Sequence, residues 1–102
     1  VEFTVERIEE AAFANQHELQ AAFIPSTVHR IERAAFSNCS SLNDLELGAE
    51  QGGRLEAIES MAFARCTSIS EISIPSTVEQ IGDNAFMNCT GLVDLKFQRE
   101  GK

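Results

Sequence analysis

The segment IPSTVEQIGDNAFMNCTGLVDLKF, residues 74–97, holds an apolar pattern that recurs through the 102-residue chain. Its Ala-Phe pair, Ala85-Phe86, occurs again at Phe13, Phe36 and Phe63, each time with Ala before the ring. The four Phe residues are 23, 27 and 23 positions apart. Self-similarity at a period of this length is the sequence signature of a repeat architecture.

Seven apolar columns keep their register across the four copies. In the fourth copy they are Val78, Ile81, Phe86, Cys89, Leu92, Leu95 and Phe97. The alternation in Leu95-x-Phe97 predicts a half-buried strand, because successive side chains of a strand point to opposite faces. Pro75, directly after the preceding strand, ends its ladder and turns the chain into a return segment with two inward residues, Val78 and Ile81.

The Ala-Phe segment predicts a short helical turn. Ser60 and Asp83 stand where such a helix would need an N-cap. After the ring, three copies carry an asparagine, at Asn15, Asn38 and Asn88, where a left-handed residue often ends a helix. Arg65 occupies this column in the third copy and departs from it.

A unit of 23 residues is too small to bury its own apolar face, whereas stacked copies bury it against one another. We therefore expect a solenoid in which equivalent strands lie parallel, about 4.8 Å apart. Four copies are close to the practical minimum for such a fold.

The pattern from Ile74 through Ala85-Phe86, Cys89 and Leu92 to Phe97 resembles the BspA-like (Treponema-type) leucine-rich repeat. The resemblance covers residues 5–97. It implies a right-handed superhelix with short parallel strands on the concave face and short helical turns or strands on the convex face. It also implies cell-surface or secreted location and adhesion-type protein binding. It transfers no catalytic residues and no cofactor.

We expect one domain over residues 1–102, with repeats at 5–27, 28–54, 55–77 and 78–102, as a segment of a longer array. The first copy departs from the pattern at Gln16 and Ala22. The turn at residues 48–54 has seven residues where the matching turns have three, as either a tolerated insertion or a contact loop. Neither end shows a polar capping repeat, which suggests further repeats or end-to-end self-association.

Composition excludes several functional classes. Sixteen acidic against eight basic residues give a net charge of −8, which disfavours nucleic acid and anionic membrane surfaces as partners. No apolar run approaches the length of a transmembrane helix, so we expect no membrane insertion. Cys39, Cys66 and Cys89 share one column, which favours an inward ladder of thiols over a metal or redox site.

Nothing in the sequence assembles a catalytic constellation. His17 and His29 are the only histidines, and no nucleophile repeats at a spacing that places it beside either one. We therefore expect a protein that is not an enzyme and that has no metal or cofactor.

Two acidic rows are expected on the surface. If Leu45, Ile72 and Leu95 point inward, one outward row reads Ala21, Asp44, Glu71, Asp94 and the next reads Phe23, Glu46, Ser73, Lys96. The candidate protein-binding residues on the concave face are Phe23, Asp44, Glu46, Glu71, Asp94 and Lys96. A solvated face of an acidic protein is the alternative. The second row, Glu9, Glu32 and Glu59, is expected to be a solubility surface screened by Arg7, Arg30 and Arg33.

The sequence therefore favours a non-catalytic protein–protein interaction module that presents a concave sheet to a host or cell-surface protein. A structural stalk without a ligand of its own and a self-associating scaffold are the alternatives.

Overall fold

Each copy of the repeat contributes two short strands to a parallel β-solenoid of about four turns. A computed structural model describes residues 5–48 and 53–98. The strands are β1 (Arg7–Ile8), β2 (Ala21–Phe23), β3 (Arg30–Ile31), β4 (Asp44–Glu46), β5 (Ala57–Ile58), β6 (Glu71–Ile74), β7 (Gln80–Ile81) and β8 (Asp94–Phe97). The solenoid predicted from the repeat is confirmed.

The return segments form a continuous parallel sheet in the order β1-β3-β5-β7, which we call the return face. Its register aligns the isoleucine column, so that Ile8, Ile31, Ile58 and Ile81 lie side by side. The opposite face, β2, β4, β6 and β8, is the one expected to be concave, and we call it the concave face. It consists of two separate pairs, β2-β4 and β6-β8.

The aromatic column forms a stack along the solenoid axis. The centroids of Phe13, Phe36, Phe63 and Phe86 are 5.2, 5.2 and 5.6 Å apart in succession, and the rings are inclined by 11°, 3° and 4°. Around this stack the aliphatic columns close a single core, in which Ile31, Leu42 and Ile69 are fully buried. Stacking of equivalent positions therefore buries apolar side chains that a single copy would leave exposed.

The core is complete only in the middle of the solenoid. Phe63 is fully buried, whereas Phe13, in the first copy, is 43% exposed. Phe97, expected to be a core residue of its strand, is 62% exposed, and Leu95 in the same strand is 43% exposed. Their strand pairs with β6 on one side, and no described strand lies on its other side. The expectation for Phe97 is wrong because a core position needs a neighbouring copy on both sides.

The Ala-Phe segment is a pair of tight turns. Residues 5–48 and 53–98 contain no helix, and therefore none that is long and apolar enough to cross a membrane. The N–H of Ala12 donates to the carbonyl of Glu9 within the turn. The N–H of the next residue, Phe13, donates to Ala35 of the following copy at 2.7 Å. Because alternate N–H groups serve the neighbouring copy, the segment cannot be helical. The N-cap role predicted for Ser60 and Asp83 is therefore wrong.

The left-handed conformation predicted for the asparagine column is confirmed. The φ angles are 66° at Asn15, 65° at Asn38 and 59° at Asn88. Arg65, in the same column, also has a positive φ, 63°. The Nδ2 of Asn38 donates to the Oδ1 of Asn15 at 3.0 Å, so the column also connects neighbouring copies.

The cysteines point into the core, as predicted. The thiols of Cys39, Cys66 and Cys89 donate to the carbonyls of Phe13, Phe36 and Phe63, each in the preceding copy, at 3.2, 3.1 and 3.1 Å. Cys39 and Cys66 are fully buried, and Cys89 is partly buried. Burial raises the pKa of all three thiols, that of Cys66 to about 12.

Candidate binding surface

The concave face carries all six residues predicted to bind a partner, in two groups. In the first group, Phe23 lies opposite Glu46, and Asp44 lies opposite Ala21. In the second group, Glu71 lies opposite Asp94 and Ser73 lies opposite Lys96. The register predicted within each group is confirmed.

The two groups do not form one sheet. Among the described residues, β4 and β6 do not pair. The residue after β2, Ile24, donates its N–H to Glu46 at 2.8 Å, whereas the corresponding bond from Leu47 to Ser73 is absent from the described chain. The expectation of an unbroken acidic row is therefore wrong between Asp44 and Glu71.

A groove of about 330 Å³ occupies the place of the missing strand contact. Its walls include Asp44 and Glu46 from β4 and Glu71 and Ser73 from β6. The sequence analysis placed Ser73 in an outward row and Leu45 inward without proposing either as a binding residue. The lining residues that it did not place on this face are Asn43, Leu47, Ser70 and Gln98. The only sequence signal of the groove is the 27-residue spacing between Phe36 and Phe63, against 23 elsewhere.

Backbone polar groups face this groove from both sides. In β4, the N–H of Asp44 and the carbonyl of Glu46 bond to the β2 side, at Gln20 and Ile24. Successive residues of a parallel strand direct their backbone groups to opposite sides, so the N–H and carbonyl of Leu45 face β6. By the same argument, the carbonyls of Ser70 and Ile74 serve the β8 side. The backbone groups of Glu71 and Ser73 therefore face β4.

The acidic side chains of the groove lack the arginine partners that Glu32 and Glu59 have on the return face. Within residues 5–48 and 53–98, no ion pair involves Asp44, Glu46 or Glu71. Lys96 lies 3.5 Å from Asp94 and partly neutralises the end of the row. Three carboxylates without an ion-pair partner among the described residues therefore line the gap in the sheet.

Two of the three acids in the second predicted row, Glu32 and Glu59, are paired with arginines. The Arg7 guanidinium lies 3.2 Å from the Glu32 carboxylate, and the Arg30 guanidinium lies 2.6 Å from Glu59. The hydrogen bond to Glu59 raises the pKa of Arg30. Arg33 lies 3.7 Å from Glu10. Glu9, the third acid of the row, has no ion-pair partner among the described residues, so the prediction of a screened row is met at two of its three positions.

Neither histidine belongs to a built site. The Nδ1 of His17 is 3.4 Å from the Oγ of Ser40, and both residues lie at the surface. The Nε2 of His29 is 3.9 Å from Glu6. Across the described ranges, no group of three or more His, Cys, Asp or Glu side chains could hold a metal ion. The role of the seven-residue turn at 48–54 is not addressed by these contacts, because residues 49–52 lie outside the described residues.

Solved structures of bacterial leucine-rich repeat proteins share this fold. A leucine-rich cell surface protein from Faecalibacterium prausnitzii is 27% identical with a TM-score of 0.79, over 99% of this chain and 32% of that one. A leucine-rich repeat protein from Bacteroides capillosus is 33% identical with a TM-score of 0.82, over 95% of this chain and 66% of that one. The pneumococcal vaccine antigen PcpA is 27% identical with a TM-score of 0.80, over 94% of this chain and 25% of that one.

The chain thus spans between a quarter and two thirds of the length of these three proteins. None of the curated proteins compared with the chain matches its sequence. The profile described as "BspA type Leucine rich repeat region (6 copies)" matches residues 2–101. With the repeat register, the parallel solenoid and this match in agreement, the chain belongs to the BspA-type leucine-rich repeat family.

Proposed function

We propose that the chain is a non-catalytic, adhesion-type binding module of a cell-surface or secreted protein, which presents its concave face to a host or cell-surface protein. One observation carries this proposal. The carboxylates of Asp44, Glu46 and Glu71 have no ion-pair partner in the described chain, whereas the return face pairs Glu32 and Glu59 with arginines. An unpaired acidic face on a rigid solenoid is suited to a partner that supplies the positive charge.

The proposed mechanism is electrostatic steering followed by docking on the strands. The acidic face attracts a basic partner during diffusion, and this attraction weakens as salt increases because the Debye length shortens. Phe23 is 62% exposed beside Glu46 and supplies an apolar contact at the edge of the acidic surface.

The proposed location rests on relatives. The F. prausnitzii protein is described as a cell surface protein, and the chain matches 32% of its length. Surface exposure of the intact protein is therefore part of the proposal.

The test measures binding of the chain to immobilised extracellular-matrix proteins of basic and acidic isoelectric point, at low and physiological salt. The face variant carries Asp44→Ala, Glu71→Ala and Asp94→Ala. The control variant carries Glu18→Ala, Glu79→Ala and Asp83→Ala, exposed acids outside the concave strands. Both variants remove three negative charges, so they have the same net charge.

We expect the face variant to lose roughly tenfold in affinity for a basic partner at low salt, and the control variant to lose far less. Binding that is insensitive to salt and equal in both variants would contradict acidic steering. A chain that binds no protein tested, while the intact surface protein binds unchanged with the substituted face, would favour the stalk alternative.

A further inference from the structure

We propose that the groove between β4 and β6 is a subsite for an arginine side chain, carried by an extended basic segment of the partner protein. This inference rests on the proposed function and specifies the chemistry of its partner. It starts from the divided sheet, a feature independent of the acidic residues.

The first step concerns unpaired strand edges. The return strands of all four copies pair without interruption, from β1 to β7. In the second and third copies, however, the concave strands β4 and β6 do not pair with each other. The backbone groups of Leu45 on one side, and of Glu71 and Ser73 on the other, face the groove between them. A strand edge presents a row of donors and acceptors that another chain can use.

The second step concerns size. Cα atoms of β4 and β6 still approach within 8 Å of one another. A strand inserted between them would need two spacings of about 4.8 Å each, so an entire strand does not fit. A groove of about 330 Å³ does accommodate one long side chain. The partner's backbone therefore lies over the concave face and its side chain enters the groove.

The third step concerns the chemistry of the walls. The carboxylates of Asp44, Glu46 and Glu71 and the hydroxyl of Ser73 provide mainly acceptors, and strand carbonyls add to them. A guanidinium has five N–H donors in a planar fork and can bond a carboxylate and a carbonyl together. A lysine ammonium is a compact, strongly hydrated charge. The groove therefore favours arginine over lysine.

The experiment titrates the isotopically labelled chain with acetyl-Ser-Arg-Ser-Arg-Ser-amide and with its lysine counterpart, followed by amide chemical shifts in NMR. We expect the largest shifts at Leu45, Glu71 and Ser73, and roughly threefold or more tighter binding of the arginine peptide. Asp44→Asn with Glu71→Gln should weaken binding of the arginine peptide by roughly tenfold. Glu18→Gln with Asp83→Asn is the control and should leave it within twofold.

A second variant removes the groove while keeping its charged residues. Replacing residues 48–54 with Pro-Ser-Thr, the turn of the other copies, keeps every groove carboxylate and should remove the preference for arginine. Equal binding of the two peptides by the unmodified chain, or shifts centred on Asp94 and Lys96, would overturn the arginine subsite. Either result would leave the proposed function standing if matrix-protein binding still depended on salt and the concave face. Conversely, arginine-selective shifts in the groove without any protein binding would support the subsite and count against the proposed function.

Discussion

A small side chain, the cysteine thiol, connects each copy to the one before it. The thiol of Cys66 donates to the carbonyl of Phe36 at 3.1 Å, in a fully buried site. Only the neutral thiol can donate this bond, and burial disfavours the thiolate. The protonation state of the column is therefore coupled to stability.

Stability should fall in alkaline solution. The pKa of Cys66 is raised from about 9 to about 12, so between these values the unfolded chain loses a proton that the folded chain keeps. Unfolding is favoured by up to about 1.4 kcal/mol per pH unit for this thiol. Its contribution is fully present below pH 9 and is lost as the pH rises toward 12.

Urea unfolding at pH 8, 9.5 and 10.5 measures this slope. Cys66→Ala should flatten the pH dependence, although it lowers stability at every pH through the lost packing. An unchanged slope would mean that the thiol ionises equally in both states.

Arg65 interrupts an otherwise uniform column. It holds a φ of 63°, a conformation that costs most L-residues about 1–2 kcal/mol and that asparagine tolerates better. Arg65→Asn should raise the free energy of unfolding by about 1 kcal/mol, because it relieves this strain and places an amide beside Asn38 and Asn88.

Thermal unfolding of Arg65→Asn and Arg65→Ala checks this prediction. The alanine variant removes the arginine side chain without an αL-tolerant replacement and should not gain stability. Equal gains in both variants would attribute the effect to the arginine side chain rather than to the backbone.

The sequence predicted a backbone conformation that depends on one residue type, but it did not predict the Ala-Phe turns, which depend on hydrogen bonds to the neighbouring copy. The asparagines identified one column of left-handed residues without reference to the fold, whereas the second column, Ala11, Ala34, Met61 and Asn84, was not predicted. Ser60 and Asp83 suggested a helix because a cap residue before an apolar pair is locally compatible with a helix or with consecutive turns. The bonds from Phe13 to Ala35 and from Phe36 to Ala62, between copies, select the turns.

At the level of elements, the division of the concave sheet coincides with the long turn between Leu47 and Leu55. The matching turns, after β2 and after β6, have three residues, and each of these strands pairs with the concave strand of the next copy: β2 with β4, and β6 with β8. Gly48 begins the long turn with a φ of 65°, and a Cβ at this position would lie 3.0 Å from the carbonyl oxygen of Ile24. The unusual turn and the unpaired edge are thus adjacent.

Replacing residues 48–54 with Pro-Ser-Thr should join β4 to β6 and produce a continuous four-stranded concave sheet. Amide hydrogen exchange at Glu71 and Ser73 measures this, since their N–H groups face the gap and would become protected by new bonds to β4. The amide of Ile58 in the return sheet is the internal control. Unchanged exchange at Glu71 and Ser73 would show that turn length is not what separates the strands.

The candidate site was therefore predicted only in part. Alternation along Asp44-Leu45-Glu46 was enough to place the acids outward, because strand periodicity is a local property. The groove exists because β4 and β6, whose equivalent residues are 27 positions apart, do not come close enough to pair. The apolar columns in the sequence are compatible with paired and with unpaired strands. A longer turn indicates where the repeat is irregular, but it does not indicate how the neighbouring strands are placed.

At the level of the whole molecule, the two ends of the solenoid expose what its middle buries. Val5 and Phe13 are 48% and 43% exposed at one end, and Phe97 is 62% exposed at the other. The ends are complementary, because each is one side of the contact that adjacent copies make internally. The isolated chain should therefore associate end to end as its concentration rises.

Sedimentation velocity over a wide concentration range tests this prediction. Phe97→Lys should reduce the association, whereas Thr67→Lys, at an exposed position of the third copy, should not. A mass that stays at 11.2 kDa at every concentration would contradict end-to-end association.

The gap in the concave sheet also has a mechanical consequence. The second and third copies are joined by β3–β5 pairing and by bonds in the Ala-Phe turns, such as Phe36 to Ala62 at 2.8 Å, but not through β4 and β6. Their junction is paired along the return face, whereas on the concave side, among the described residues, it has the side-chain bond from Ser68 to Ser40 in place of strand pairing. Under bending load, it should act as the most compliant joint of the rod, flexing about the return face while the other junctions remain stiff.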